Sequence, residues 1–327
     1  MPELPEVETI ARGLRAVLPG RRILSVRLAK TDFIDNPAAI EREVPGTRLV
    51  SVRRHGKFLL LDLESLNRRV RGVSLLIHLG MTGRLVTCDP KTPVPPHTHV
   101  FFTLDHGLEL RYTDVRRFGR IGLLRQGSVE NRLASLGLDP LEASEAEFVA
   151  LVKDRRARIK GLLLDQHVLR GIGNIYADEG LWRARIHPTR LGANLTLAEL
   201  RCLYRAVRAV LNDAIKLRGS SIADYVDSDG NRGGFQRRHR VYQREGQKCF
   251  RCRAMIRRTV VAGRSSHFCP RCQRAPRIRQ GRRALLRRAA RRCRHVQPRF
   301  GGQAGSLELN GRVRDMKVAS ENLTNIR

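Results

Sequence analysis

Three carboxylates and two prolines open the chain in Met1-Pro2-Glu3-Leu4-Pro5-Glu6-Val7-Glu8, ahead of a sequence that is otherwise strongly basic. Trimming of Met1 would leave Pro2 with a free secondary amine. A terminal amine titrates near pH ~8, so a sizeable share is unprotonated at neutral pH, whereas a lysine at about 10.4 is almost wholly charged. Such an amine attacking an aldehyde-level carbon yields an iminium, which is an electron sink. Glu3, one residue on, is close enough to move protons for it. The plainer reading, a frayed Pro-rich start, stays open at this level.

A second set of reactive residues is Cys249-x2-Cys252 and, after sixteen residues, Cys269-x2-Cys272. Two matched knuckles at that separation fit a tetrahedral four-thiolate zinc site, closed and therefore structural. The intervening Thr259–Phe268 reads as two short strands around a turn that presents Arg264 at its tip. Four thiolates complete the zinc shell, so His267 is expected on the surface. Zinc ribbons of this kind serve DNA binding, RNA binding and plain architecture alike. In Arg170-Gly171-Ile172-Gly173-Asn174-Ile175, two glycines ahead of a helix let backbone N–H groups approach an anion such as a phosphate. Asn174 is able to donate to the same anion or to cap the helix. Met81 and Phe118 lie in Gly-flanked turns, Leu79-Gly80-Met81-Thr82-Gly83 and Asp114-Val115-Arg116-Arg117-Phe118-Gly119. They either pack in the core or wedge between stacked bases, with Arg116 bonding the base left behind.

The elements that must hold these groups follow from pattern. Val7, Ile10, Ala11, Leu14 and Leu18 form one helical face, stopped by Pro19-Gly20. Strand-like runs at 22–28, 48–52, 57–63, 73–79, 98–104, 108–112 and 119–125 are separated by turn signals, which argues for an antiparallel sandwich or barrel. From about Asp139 the period turns helical, at 144–153, 161–166, 175–184 and 197–217. Residues 227–238 form a Gly-rich basic loop. The composition sets the partner: 63 Lys and Arg against 31 Asp and Glu give a net charge of +32, which calls for a polyanion, nucleic acid first. Hydrophobic residues make up 41%, and no apolar run reaches a bilayer span, so a cytoplasmic protein is expected. Seven cysteines do not form a disulfide framework; they read as the zinc set plus Cys88, Cys202 and Cys293. Beyond Pro276 the chain carries about 14 basic and 3 acidic side chains, either a polyanion-binding arm or a solvated extension.

Taken together, the chain resembles the bacterial formamidopyrimidine-DNA glycosylases, which remove 8-oxoguanine and ring-opened purines. The resemblance runs from Pro2 to about Gln273. It rests on Pro2–Thr9, Gly56-Lys57-Phe58-Leu59-Leu60, Ile77–Met81, Asp114-x-Arg116-Arg117-Phe118-Gly119, the Gly171–Glu179 loop and the finger ending Cys269-Pro270-Arg271-Cys272-Gln273. It implies an α+β multidomain fold: an N-terminal antiparallel β-sandwich over 1–130, a helix–two-turn–helix domain over 131–238, a zinc finger over 239–274 and a basic tail over 275–327. It also implies a monomer that acts on damaged double-stranded DNA, with one structural zinc and no catalytic metal. Pro2 would be the nucleophile and Glu3 the proton donor and acceptor, supported by Glu6. Lys57 would serve the first elimination and Arg264 the second. Met81, Arg116 and Phe118 would fill the gap left by the extruded nucleotide, and His97, Arg155, Lys160, Asn174 and Arg264 would grip phosphates. His99, in a strand, looks structural. A loop over about 220–235 would cover the extruded base. The Leu4 start and the intact Met81–Arg116–Phe118 trio favour purine lesions. An oxidised-pyrimidine glycosylase, a non-catalytic DNA-binding relative and an RNA-associated zinc-ribbon protein are the alternatives; the intact Pro2-Glu3 pair speaks against the second and the acidic cluster at the terminus against the third.

Overall fold

The computed structural model describes residues 1–65, 72–125 and 127–276; the basic tail, with Cys293, lies outside them from residue 277 onward. Helix α1 spans Leu4–Val17, starting a turn earlier than the apolar spacing predicts. The cause is local: the Glu6 carboxylate accepts the Glu3 backbone N–H at 2.8 Å, and Pro5 falls in the first turn, where no intrahelical donor is lost. The start is not frayed, since Pro2, Glu3 and Leu4 are all buried.

Next come β1 (Ile23–Leu28), β2 (Ile34–Asp35), α2 (Pro37–Glu43), β3 (Thr47–His55), β4 (Phe58–Ser65), β5 (Val73–His78), β6 (Arg84–Cys88), β7 (Thr98–Leu104), β8 (Leu108–Thr113) and β9 (Arg120–Arg125). They form a five-stranded sheet in the order β2-β9-β5-β4-β3 and a four-stranded sheet in the order β1-β7-β8-β6. The two sheets enclose one core with the apolar face of α1, through Val7, Ile10, Leu14, Leu59, Leu61, Leu75, Val100 and Phe102. Strand β4 is apolar on both faces because α3 (Ser128–Leu133) covers its outer side, packing Val129 and Leu133 on Leu60 and Leu76. Strands β3 and β4 join through a two-residue turn opened by Gly56 at φ +60°, and this turn presents Lys57.

The helical half holds α4 (Glu145–Val152), α5 (Ile159–Leu164), α6 (Asn174–Ala184) and α7 (Leu197–Lys216). Ser144 with Glu147, and Thr196 with Glu199, close capping boxes at the starts of α4 and α7. Two turns join α5 to α6, the helix–two-turn–helix that the resemblance implies. Leu4 of α1 belongs to this second core, beside Ile172 and Phe148. The sandwich and the helices are also tied by charge. The buried Arg54 guanidinium meets Glu8 at 2.8 Å and Asp139 at 2.6 Å. Deleting one partner of such a set strands a buried charge and costs about 3–5 kcal/mol. Last, β10 (Arg257–Val261) and β11 (Arg264–Phe268) form the hairpin of the cysteine module.

Candidate active site

Glu3 sits where an anion belongs. Its carboxylate accepts the backbone N–H groups of Ile175 at 3.1 Å and Tyr176 at 3.4 Å, at the open N-terminus of α6. The two glycines ahead of that helix make the room. A Cβ on Gly173 would stand 2.2 Å from Glu3 Cδ, and one on Gly171, at φ +95°, would stand 2.8 Å from Leu4 Cδ1. The N–H groups of Ile175 and Tyr176 are thus taken by the chain's own carboxylate, a partner 172 residues away in sequence. Asn174 is the first residue inside α6 rather than its cap, which is Gly173.

Burial raises the Glu3 pKa above its ordinary value, against the pull of Lys57 and the two N–H donors. Glu6 is pushed up to about 7, by burial first and by Glu3 second. It accepts the Tyr176 hydroxyl and the Ser220 N–H as well as the Glu3 N–H, and so binds α1, α6 and the start of the 220–235 loop together. Lys57 is pulled below its ordinary value by burial; Glu3 opposes the shift and Arg264 adds to it. A cleft of about 780 Å³ gathers Met1, Glu3, Lys57, Met81, Asn174 and Arg264, with Ile222, Ala223 and Tyr225 from the 220–235 loop.

Two turns face outward beside this cleft. Met81 is 41% and Phe118 54% exposed, so the core-packing reading of both fails. Arg116 stacks over the Phe118 ring at 4.6 Å. Fully buried Asp114 builds the platform: its carboxylate accepts Thr82 Oγ1, the Arg116 N–H at 3.2 Å, the Gly119 N–H at 2.9 Å and the Tyr112 hydroxyl at 3.1 Å. Its N–H donates to the His97 carbonyl, which seats exposed His97 beside the same turn. Sequence reading quoted Asp114 within a motif but gave it no role. His99 is buried in β7, its Nε2 3.0 Å from the Asp114 carbonyl, in keeping with a structural histidine. Arg155 is exposed, in the segment between α4 and α5.

Two expectations need correction. Lys160, expected on a phosphate, has no exposed side-chain surface; its ammonium bonds Asp178 at 2.6 Å and the Ser265 carbonyl at 2.7 Å. His267, expected on the surface, is buried with Nδ1 3.2 Å from Asp178. In both cases Asp178, inside α6, is a partner that spacing along the chain does not reveal.

The thiol sulfurs of Cys249, Cys252, Cys269 and Cys272 all lie within 4.8 Å of one another. Adjacent pairs at 3.4, 3.5 and 4.0 Å are far beyond a disulfide bond and bracket the ~3.8 Å edge of a tetrahedron with Zn–S near 2.3 Å. The set fits a closed structural zinc, which would fix the hairpin carrying Arg264.

A buried chain start whose carboxylate lies in a cleft, two exposed apolar side chains on turns beside it and a four-cysteine hairpin are together the features of a DNA glycosylase. Three family models match: the formamidopyrimidine-DNA glycosylase N-terminal domain over residues 1–121, its H2TH domain over 136–226, and the zinc finger found in FPG and IleRS over 246–275. The formamidopyrimidine-DNA glycosylase of Solibacter usitatus is 45% identical over 275 residues, covering 84% of this chain and 99% of that protein. Among solved structures, the Lactococcus lactis FPG (MutM) with DNA containing Fapy-dG aligns with a TM-score of 0.75 at 32% identity. MutM with DNA containing carbocyclic 8-oxo-G aligns at 0.76 and 33%. Each covers 84% of this chain and 100% of the other. The chain belongs to the formamidopyrimidine-DNA glycosylase family.

Proposed function

We propose that this protein is a bifunctional DNA glycosylase and AP lyase of base excision repair, releasing oxidised purines such as 8-oxoguanine and formamidopyrimidines from duplex DNA. The observation that carries the reading is Glu3: its carboxylate, one residue from Pro2, is fixed by the N-terminus of α6 in the cleft that holds Lys57 and Arg264.

The target nucleotide leaves the stack, and Met81 and Phe118 enter the space it vacates, with Arg116 bonding the base opposite. Their exposure supports this role. With Met1 removed, the Pro2 nitrogen bonds to C1′. The bond from C1′ to the base breaks, and the base leaves with the electron pair and takes a proton. Glu3 supplies the proton that opens the sugar ring, leaving an iminium between Pro2 and C1′. The iminium acidifies C2′; loss of that proton expels the 3′-phosphate, the step given to Lys57. Loss of a further proton from C4′ expels the 5′-phosphate, the step given to Arg264. Hydrolysis of the iminium then frees Pro2. His97, Arg155, Asn174 and Arg264 hold phosphates along the strand. Within this reading the protein is a monomer of the bacterial cytoplasm that meets the nucleoid through DNA. Its working division is 1–130, 131–238, 239–274 and a basic arm over 275–327.

Borohydride added during turnover tests the reading. Reduction is expected to trap a covalent enzyme–DNA adduct on a duplex with 8-oxoguanine opposite cytosine, with Pro2 as the linked residue and Met1 absent. Full lesion release with no adduct, or with Met1 retained, overturns it. A thymine glycol duplex released faster than 8-oxoguanine would favour the pyrimidine-specific alternative.

A further inference from the structure

Strand β11 has one pairing partner among the described residues, β10, so its second edge is free of any strand. An antiparallel ladder bonds alternate residues to the neighbour and turns the others outward. The outward groups here are the Ser265 carbonyl and the His267 N–H, and two side chains of the helical half complete them. Lys160 Nζ donates to the Ser265 carbonyl at 2.7 Å, and Asp178 Oδ2 accepts the His267 N–H at 2.9 Å. Lys160 and Asp178 are themselves joined at 2.6 Å, both without exposed side-chain surface. One donor and one acceptor thus stand where the N–H and C=O of a third strand would stand.

The position of this contact matters. Ser265 follows Arg264 directly, and Arg264 is the charged side chain that the hairpin brings to the cleft, beside Ala262. The turn ahead of it, Ala262 at φ +50° and Gly263 at +69°, is exposed and offers little restraint of its own. Zinc would fix the far end of the hairpin, through Cys269. Between metal and turn, the Lys160–Asp178 pair is what holds β11 to α5 and α6. Helix α6 also carries Glu3 on its first backbone N–H groups, so the pair sets the reach of Arg264 relative to the proton-transferring carboxylate.

We propose that Lys160 and Asp178 are positioning residues for Arg264, acting on the second elimination and not on base release. The inference rests on the role given to Arg264 above. Removing either charge alone would strand the other in a buried site, so the test uses the double variant Lys160→Met with Asp178→Asn, in which neither charge remains. It is compared with Arg264→Ala and the parent on a duplex carrying an abasic site, by resolving the unsaturated-aldehyde product of one elimination from the phosphate-ended product of two. Zinc content and thermal melting establish that each protein is folded.

The expected result is that both variants lose the second elimination by about tenfold or more, consistent with the sensitivity of catalysis to small displacements. In the double variant, base release from a duplex with 8-oxoguanine opposite cytosine and the yield of the borohydride adduct stay at the parent level. If Arg264→Ala shifts the product ratio and the folded double variant does not, the positioning role is overturned. A parallel fall in base release, trapping and both eliminations also overturns it, because it marks a general structural role. An unchanged ratio in Arg264→Ala instead refutes the assignment of Arg264, and the inference falls with it.

Discussion

The glycine at 173 shows how a single missing side chain sets the chemistry. Its φ of −128° suits any residue, so an alanine there costs nothing in backbone strain. Its Cβ, however, would stand 2.2 Å from Glu3 Cδ and push the carboxylate off the helix end. Gly173→Ala is expected to lower single-turnover formation of the borohydride-trapped adduct at least about 100-fold while binding to an abasic-analogue duplex stays near the parent value. A drop below about threefold would show that Glu3 does not need this seat. That Pro2 and Glu3 stand side by side was legible in the sequence because both residues lie in one local run. What the N–H groups of Ile175 and Tyr176 bind was hidden, since Glu3 comes from the far end of the chain. The same reason hid Asp178 from Lys160 and His267.

At the scale of elements, α6 works as a strut. Its first N–H groups hold Glu3, Asp178 holds β11, and the Glu179 carboxylate accepts the N–H groups of Arg240, Val241 and Tyr242 as the chain enters the cysteine module. Trp182 closes the series, packing against Cys249 with the Arg251 guanidinium 3.7 Å over its ring. It is the sole tryptophan of the chain, so its fluorescence reports on how the module docks. Chelation of zinc is expected to red-shift that emission and abolish binding to lesion duplex together, since structural zinc supplies folding energy. Lesion cleavage by metal-free protein with unchanged emission would refute the structural assignment. The longer strands and five of the helices could be read from period alone. Strand β6 could not, because its five residues alternate weakly and its turn signals are shared with neighbours. Helix α3 escaped because its apolar face is only Val129 and Leu133, and what it covers is fixed by the sheet.

For the whole molecule, the excess of positive charge bears on DNA affinity more than on fold. The family models end by residue 275, whereas the basic segment lies beyond Pro276. If that arm meets phosphates, ending the chain after Pro276 is expected to flatten the plot of log affinity against log salt by several units, at about 0.9 per lost phosphate contact. Base release at saturating DNA should not change. An identical slope with and without the arm would show that it does not touch DNA. A different consequence follows from Leu4 lying in the core of the helical half. The first residues to leave the ribosome are among the last to be seated, for Ile172 and Leu211 must be made first. At bacterial translation speeds this delay is roughly 10–40 s. During that interval the segment before α1 is not yet packed, so if Met1 is the initiator, a peptidase that removes it would act on a nascent, still unfinished enzyme.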